Sequence, residues 1–203
     1  MATMADVIRP SFARPGAGIY AQGRAGSFVY DLILALAGSA LIAASAQVWF
    51  TLPFSPVPVT GQTFGVLFVA SLLGRGRGAA AVLLYLAEGA AGLPVFAEIK
   101  AGAHILLGPT GGYLAGFVPA AWVCGALAEH GLDRRVGGTI LSMLLGNVAI
   151  FALGLPWLAR YVGPEHALAL GFWPFLPGDV VKIALAAALL PLGWRLIGRR
   201  EGR

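Results

Sequence analysis

Six apolar stretches, at roughly residues 30–50, 60–73, 79–92, 111–128, 136–155 and 178–197, hold almost no ionisable side chains. In hydrocarbon a backbone must satisfy its N–H and C=O groups within itself, so such stretches cross as helices. The 203-residue chain is 58% hydrophobic and 11% charged, with a mean hydropathy of +0.81. A soluble domain carries about a quarter charged residues. The reading is an all-α membrane protein, a six-transmembrane-helix bundle over residues 28–198 with tails at 1–27 and 199–203. Arg24, the apolar run from Phe28 and Ala44-Ser45-Ala46 imitate a secretory signal with its cleavage site. The run continues through Val48-Trp49-Phe50, however, and is read as a retained first span.

Basic residues set the orientation. With a cytoplasmic N-terminus and six crossings, the inner segments hold Arg9, Arg14, Arg24, Arg75, Arg77, Arg134, Arg135, Arg195, Arg199, Arg200 and Arg203, which is 11 of the 14 basic residues. The outer loops keep Lys100 and Arg160, and Lys182 lies in the last span. This bias places both termini inside. The net charge of +5 is therefore a topology signal and not a nucleic-acid footprint.

A span needs about 20 helical residues to cross a core of about 30 Å. The second and third stretches are shorter, and Gly74-Arg75-Gly76-Arg77-Gly78 joins them on the inside. Their outer ends fall short of the surface. The connectors at 51–59 and 92–110 must fill that gap, and irregular backbone at this depth has to be buried by protein or line a cavity. Interrupted apolar segments of this kind point to a transporter's binding site. A pocket is expected in the outer half of the bundle.

Asp179 and Lys182 sit at the same depth, at the outer end of the last span. They are spaced i, i+3 and share one helix face. Ionisable residues inside a membrane helix mark a functional site by default, although Asp in a first turn also caps free N–H groups and Lys can snorkel to the interface. Both readings stand on the residues alone. Gln62, Tyr85, Glu88 and Asn147 are polar positions in or near spans, each able to bond a ligand or an irregular loop. Gly108, Gly112 and Gly116 clear one helix face for a neighbouring helix or a ligand, with Tyr113 beside them. Ala40 and Ala44 form a small-residue groove on the first helix.

Other chemistries lack their parts. The only lysines, Lys100 and Lys182, do not follow glycine, so there is no Walker loop. Ser45, Ser71 and Ser142 have no histidine in any span to activate them. His104, His130 and His166 lie in separate loops and suggest no metal cluster, and Cys124 lies alone in an apolar run. The expected role is binding and passage, with no cofactor.

Four motifs occur in order: Ser55-Pro56-Val57-Pro58-Val59-Thr60-Gly61-Gln62-Thr63, Gly92-Leu93-Pro94-Val95-Phe96, Leu107-Gly108-Pro109-Thr110-Gly111-Gly112-Tyr113, and Pro177-Gly178-Asp179-Val180-Val181-Lys182. Together they closely resemble the BioY family, the biotin-binding substrate (S) components of energy-coupling-factor (ECF) transporters, over roughly residues 30–197. The resemblance implies the S-component fold in a bacterial cytoplasmic membrane, in contact with lipid. It also implies biotin as the ligand, and a transmembrane coupling protein with two ABC-type ATPases as partners. Ala40 and Ala44 are the implied docking surface. Asp179, Lys182, Tyr113, Tyr85, Gln62, Phe96 and Asn147 are the implied biotin site. Where many relatives carry a glycine-rich stretch, this chain has Ala97-Glu98-Ile99-Lys100. An S component for thiamine or riboflavin, or a structural membrane subunit, are the alternatives.

Overall fold

The computed structural model describes residues 3–8 and 20–201, with side chains at 3–8 and 27–197. Of the expected tails at 1–27 and 199–203, residues 1–2, 9–19 and 202–203 lie outside the described residues. A short helix α1 (Met4–Val7) precedes α2 (Tyr20–Ala46), which begins earlier than the first apolar stretch. A two-residue antiparallel ladder follows, β1 (Trp49–Phe50) against β2 (Val59–Thr60), with Trp49 opposite Thr60. It pins the ends of the proline-rich connector 51–58. Then come α3 (Gln62–Leu73), α4 (Arg75–Ala90), α5 (His104–Leu107), α6 (Gly111–Glu129), α7 (Val136–Val162), α8 (Pro164–Gly171) and α9 (Leu176–Glu201).

Among the described residues, four regions are long and apolar enough to cross a membrane: Ser27–Ala46, Gly111–Glu129, Val136–Val162 and a stretch within Pro164–Ile197. Outward-facing positions agree. Ile33 and Leu36 on α2, Leu144 and Val148 on α7, and Val180, Val181 and Leu192 on α9 are all exposed. An apolar surface of this extent suits lipid rather than water. The protein is a multi-pass membrane protein.

Helix α3 has 12 residues and α4 has 16. At 1.5 Å per residue, α3 spans only about 18 Å. One residue turns α3 into α4: Gly74, at φ 86°, a backbone region that glycine enters without cost. The last residue of α6 finishes this turn, as Glu129 accepts the Arg75 N–H at 2.9 Å and pairs with its guanidinium at 3.3 Å.

The glycine face of α6 is used for packing. A Cβ at Gly112 would collide with Trp157, and one at Gly116 would lie 2.9 Å from the Ile150 backbone, so α6 and α7 run in close contact. Around this contact Leu67, Val69, Tyr85, Phe117, Met143 and Ile150 form the core. Cys124 is buried there as a small hydrophobe, its thiol donating to the Ser142 carbonyl at 3.1 Å.

Candidate ligand-binding site

The gap left above the short helices is a cavity of about 270 Å³, close to the lower end of the range for small-molecule pockets, about 300–1,000 Å³. Its apolar wall comes from α6 and α7, with Tyr113, Leu114, Phe117, Ile150 and Phe151, joined by Phe175 ahead of α9. Its polar wall comes from the first turn of α3, with Gln62 and Thr63, and the first two turns of α9, with Asp179 and Lys182. Connectors 56–58 and 96–109 cover it.

Each covering loop is tied down. In the first, the Ser55 hydroxyl donates to the Leu170 carbonyl at 2.7 Å, joining it to α8. In the second, the carboxamide of Gln47, just past α2, donates to the Phe96 carbonyl at 3.1 Å and accepts the Ile99 N–H at 3.3 Å. Between those bonds Glu98 and Ile99 stand at φ 62° and 57°. This left-handed region is rare for non-glycine residues and an outlier for a β-branched one. These are the positions where the resemblance leads one to expect glycine. Glu98 pairs with Lys100 at 3.0 Å, and both line the cavity together with His104.

Five of the expected site residues, Asp179, Lys182, Tyr113, Gln62 and Phe96, line this cavity. Asp179 is 5% exposed, and its Oδ1 accepts from the Lys182 ammonium at 3.2 Å. Tyr113 offers the cavity its ring, because its hydroxyl donates to the Gly171 carbonyl at 2.9 Å. Phe96 packs edge-on against Tyr85, ring centroids 5.5 Å apart.

Tyr85 and Asn147 stand apart from the lining. Tyr85 is fully buried behind Phe96, and its hydroxyl accepts from the Gln62 amide. Its hydrogen bond therefore orients a wall residue. Asn147 lies one turn of α7 before Ile150 and Phe151, buried, with its amide oxygen lacking a partner among the described residues. Glu88 accepts from Ser39 of α2 and also lies off the cavity.

Sequence reasoning passed over Thr63, His104, Phe151 and Phe175. Thr63 was visible as the last residue of its motif. Its role shows only across 119 residues, where its Oγ1 accepts from Lys182 at 2.8 Å. The three protons of an ammonium are donors. Two are engaged here, by Asp179 and Thr63, and the second oxygen of Asp179 accepts nothing from the described residues. The pair thus presents one donor and one acceptor side by side to a mostly apolar cavity. That arrangement suits a group carrying N–H and C=O together.

Known proteins are similar to this chain over most of its length. The BioY family profile matches residues 17–199. The chain is 43% identical over 160 residues to the biotin transporter BioY of Thermotoga maritima, covering 78% of this chain and 92% of that one. It is 38% identical over 168 residues to the biotin transporter BioY of Rhizobium etli, covering 78% and 90%. Among solved structures, it resembles the crystal structure of the S-component for biotin from an ECF-type ABC transporter, with TM-score 0.73, 26% identity, and coverage of 81% of this chain and 90% of that chain. With its cavity, its charged pair and the extent of these matches, the chain belongs to the BioY family.

Proposed function

We propose that this protein captures biotin and brings it across the bacterial cytoplasmic membrane as the S component of an ECF transporter. The observation that carries this reading is the single donor and single acceptor that Lys182 and Asp179 leave open in an apolar cavity. Biotin's ureido group has N–H and C=O adjacent on a mostly apolar bicycle. Asp179 accepts the ureido N–H, and Lys182 donates to the ureido oxygen. A buried site that pairs each polar group rejects analogues lacking them, because its own groups would then go unpaired. Gln62 and the unpartnered amide oxygen of Asn147 are further polar groups for the ligand, Tyr113 and Phe96 are its walls, and Tyr85 holds Gln62.

In this reading α2, α3, α4, α6, α7 and α9 are the six crossings, with both termini on the cytoplasmic side. The cavity then opens outward, and the two covering loops close over the vitamin. Ala40 and Ala44 are exposed on α2 and form the docking groove for the coupling protein, which works with two ABC-type ATPases. The protein itself carries no catalytic step.

Binding and thermal stability test the reading together. Biotin at 100 times its Kd should stabilise the purified protein by about 2.7 kcal/mol, whereas thiamine and riboflavin should not. Asp179→Asn should weaken biotin binding more than tenfold, about 1.4 kcal/mol or more. An Asn variant that binds like wild type removes the pairing scheme. Ala40→Trp should leave biotin binding intact and abolish assembly with the coupling protein.

A further inference from the structure

We infer that Thr63 is a positioning residue for ligand specificity: its hydroxyl oxygen holds the Lys182 ammonium so that the third N–H meets an acceptor atom of the ligand. The inference rests on the biotin reading and deepens it.

A lysine ammonium is a point charge on a four-carbon stem with three rotatable donors. Tied to Asp179 alone, one turn away on the same helix, it would be free to spin about that contact. The second tie comes from another helix. Thr63 Oγ1 lies 2.8 Å from Nζ, against 3.2 Å for Asp179 Oδ1. Two partners on two helices fix two of the three N–H directions, and tetrahedral geometry then sets the third.

The base under Thr63 is stiff. The Gln62 N–H donates to Thr60 Oγ1 at 3.2 Å, and the Thr60 hydroxyl returns to the Gln62 side chain at 3.1 Å. The Gln62 amide then donates to the buried Tyr85. The first turn of α3 is thus locked to α4, and Thr63 carries that order to Lys182. The site consequently reads an acceptor atom of the ligand through Lys182 and an N–H donor beside it through Asp179.

Two biotin analogues separate this role from a structural one. In 2-iminobiotin a nitrogen bearing hydrogen replaces the ureido oxygen, a donor where biotin accepts. Desthiobiotin keeps the ureido group and loses the sulfur, so it reports ring contacts only. Thr63→Val keeps the shape and deletes the oxygen. Calorimetric titration of the purified full chain should show biotin affinity falling about tenfold, the low end for a hydrogen bond to a charged group. The preference for biotin over 2-iminobiotin should shrink by a similar factor, with the biotin-to-desthiobiotin ratio unchanged. Thr63→Ser should restore both affinity and preference. If Thr63→Val does not fold, Thr63→Ala carries the same comparison. An unchanged biotin-to-iminobiotin ratio, with or without a general loss of affinity, overturns the role. Asp179→Asn run alongside distinguishes the two failures. Wild-type binding there sinks the Asp179–Lys182 pairing scheme, no measurable biotin binding by the wild-type chain sinks the biotin reading, and a weakened Asp179 variant with an unchanged Thr63 ratio sinks the Thr63 role alone.

Discussion

At the end of the bundle where Gly74 turns α3 into α4, charges join separate elements. Arg77 of α4 meets Asp6 of α1 at 2.7 Å and Asp31 of α2 at 2.8 Å. Trp194 of α9 donates to Asp133, between α6 and α7, at 2.6 Å, and Arg134 lies over the Trp194 ring at 4.1 Å. At the cavity end the buried pair lies within one helix and leaves a donor and an acceptor open, and the backbone beside it is strained at Glu98 and Ile99. The first arrangement uses charge to hold helices together. The second, in the proposed function, holds charge ready for the ligand. Stability and binding should therefore separate by end.

Phe96 is where that separation should fail most. It lines the cavity, is 2% exposed, and fills the space against Tyr85 and Gly89, where any Cβ would strike its ring. Phe96→Ala should lower stability by about 3 kcal/mol, as large cavities in packed cores do, and weaken biotin binding at least tenfold. Arg77→Met is the opposite case. It strands two carboxylates and should cost about 2 kcal/mol, read as a lower thermal midpoint, with biotin Kd unchanged within about twofold. A Kd that moves with the midpoint would show that the two ends are coupled.

The legible part of this division was the part written in short range. Runs without charge located the long apolar helices, and the brevity of the second and third stretches put the cavity under the connectors 51–59 and 92–110. Spacing put Asp179 and Lys182 on one face. What escaped depends on contacts between distant segments. The short helix Met4–Val7 falls in what reads as a polar tail, yet Met4 is buried and the Tyr30 hydroxyl donates to the Ala5 carbonyl at 2.8 Å. Trp157 and Trp194 donate to Gly108 and Asp133, 49 and 61 residues away, which no local spacing shows. Tyr85 reads as a polar position free to bond a ligand, because its hydroxyl is visible in sequence while the Gln62 amide that occupies it lies 23 residues away. The glycine run from Gly108 was open between helix and ligand. The close approach of α7 assigns Gly112 and Gly116 to packing, and Gly108 alone lines the cavity.

The loop strain gives a smaller test. A β-branched residue in the left-handed region costs about 1–2 kcal/mol relative to a relaxed backbone, and glycine removes that cost while gaining freedom when unfolded. Ile99→Gly should therefore change stability by a net of about 1 kcal/mol or less, in the stabilising direction. Its side chain is 70% exposed, so little packing is lost. Biotin affinity should stay within a few-fold. A large loss of affinity would mean that the strained loop is itself preorganised for the ligand.

The smallest effect lies at the opposite end and depends on acid. Burial works against ionising Asp6, but hydrogen bonds from Arg77 and Thr3 outweigh it and hold its carboxyl below the ordinary 3.8. A carboxyl depressed in the fold adds stability that is fully present above its unfolded value and is lost as pH falls through the folded one. Asp133 has the reverse sign: burial raises it above 3.8 despite the Trp194 N–H and the Arg134 charge, so its contribution is favourable in acid and declines as pH rises. The two partly cancel in the wild type, and a plain acid titration would blur both. The difference between wild type and Asp6→Asn isolates the first. That difference in thermal midpoint should be constant from pH 7 to about 5 and should close below about 4, where Asp6 protonates and its pairing with Arg77 weakens. Biotin binding by the Asn variant should match wild type throughout, since Asp6 belongs to the end that holds and not to the end that binds. A difference that persists undiminished at the lowest pH would mean that Asp6 acts through its shape against Thr3 and not through its charge.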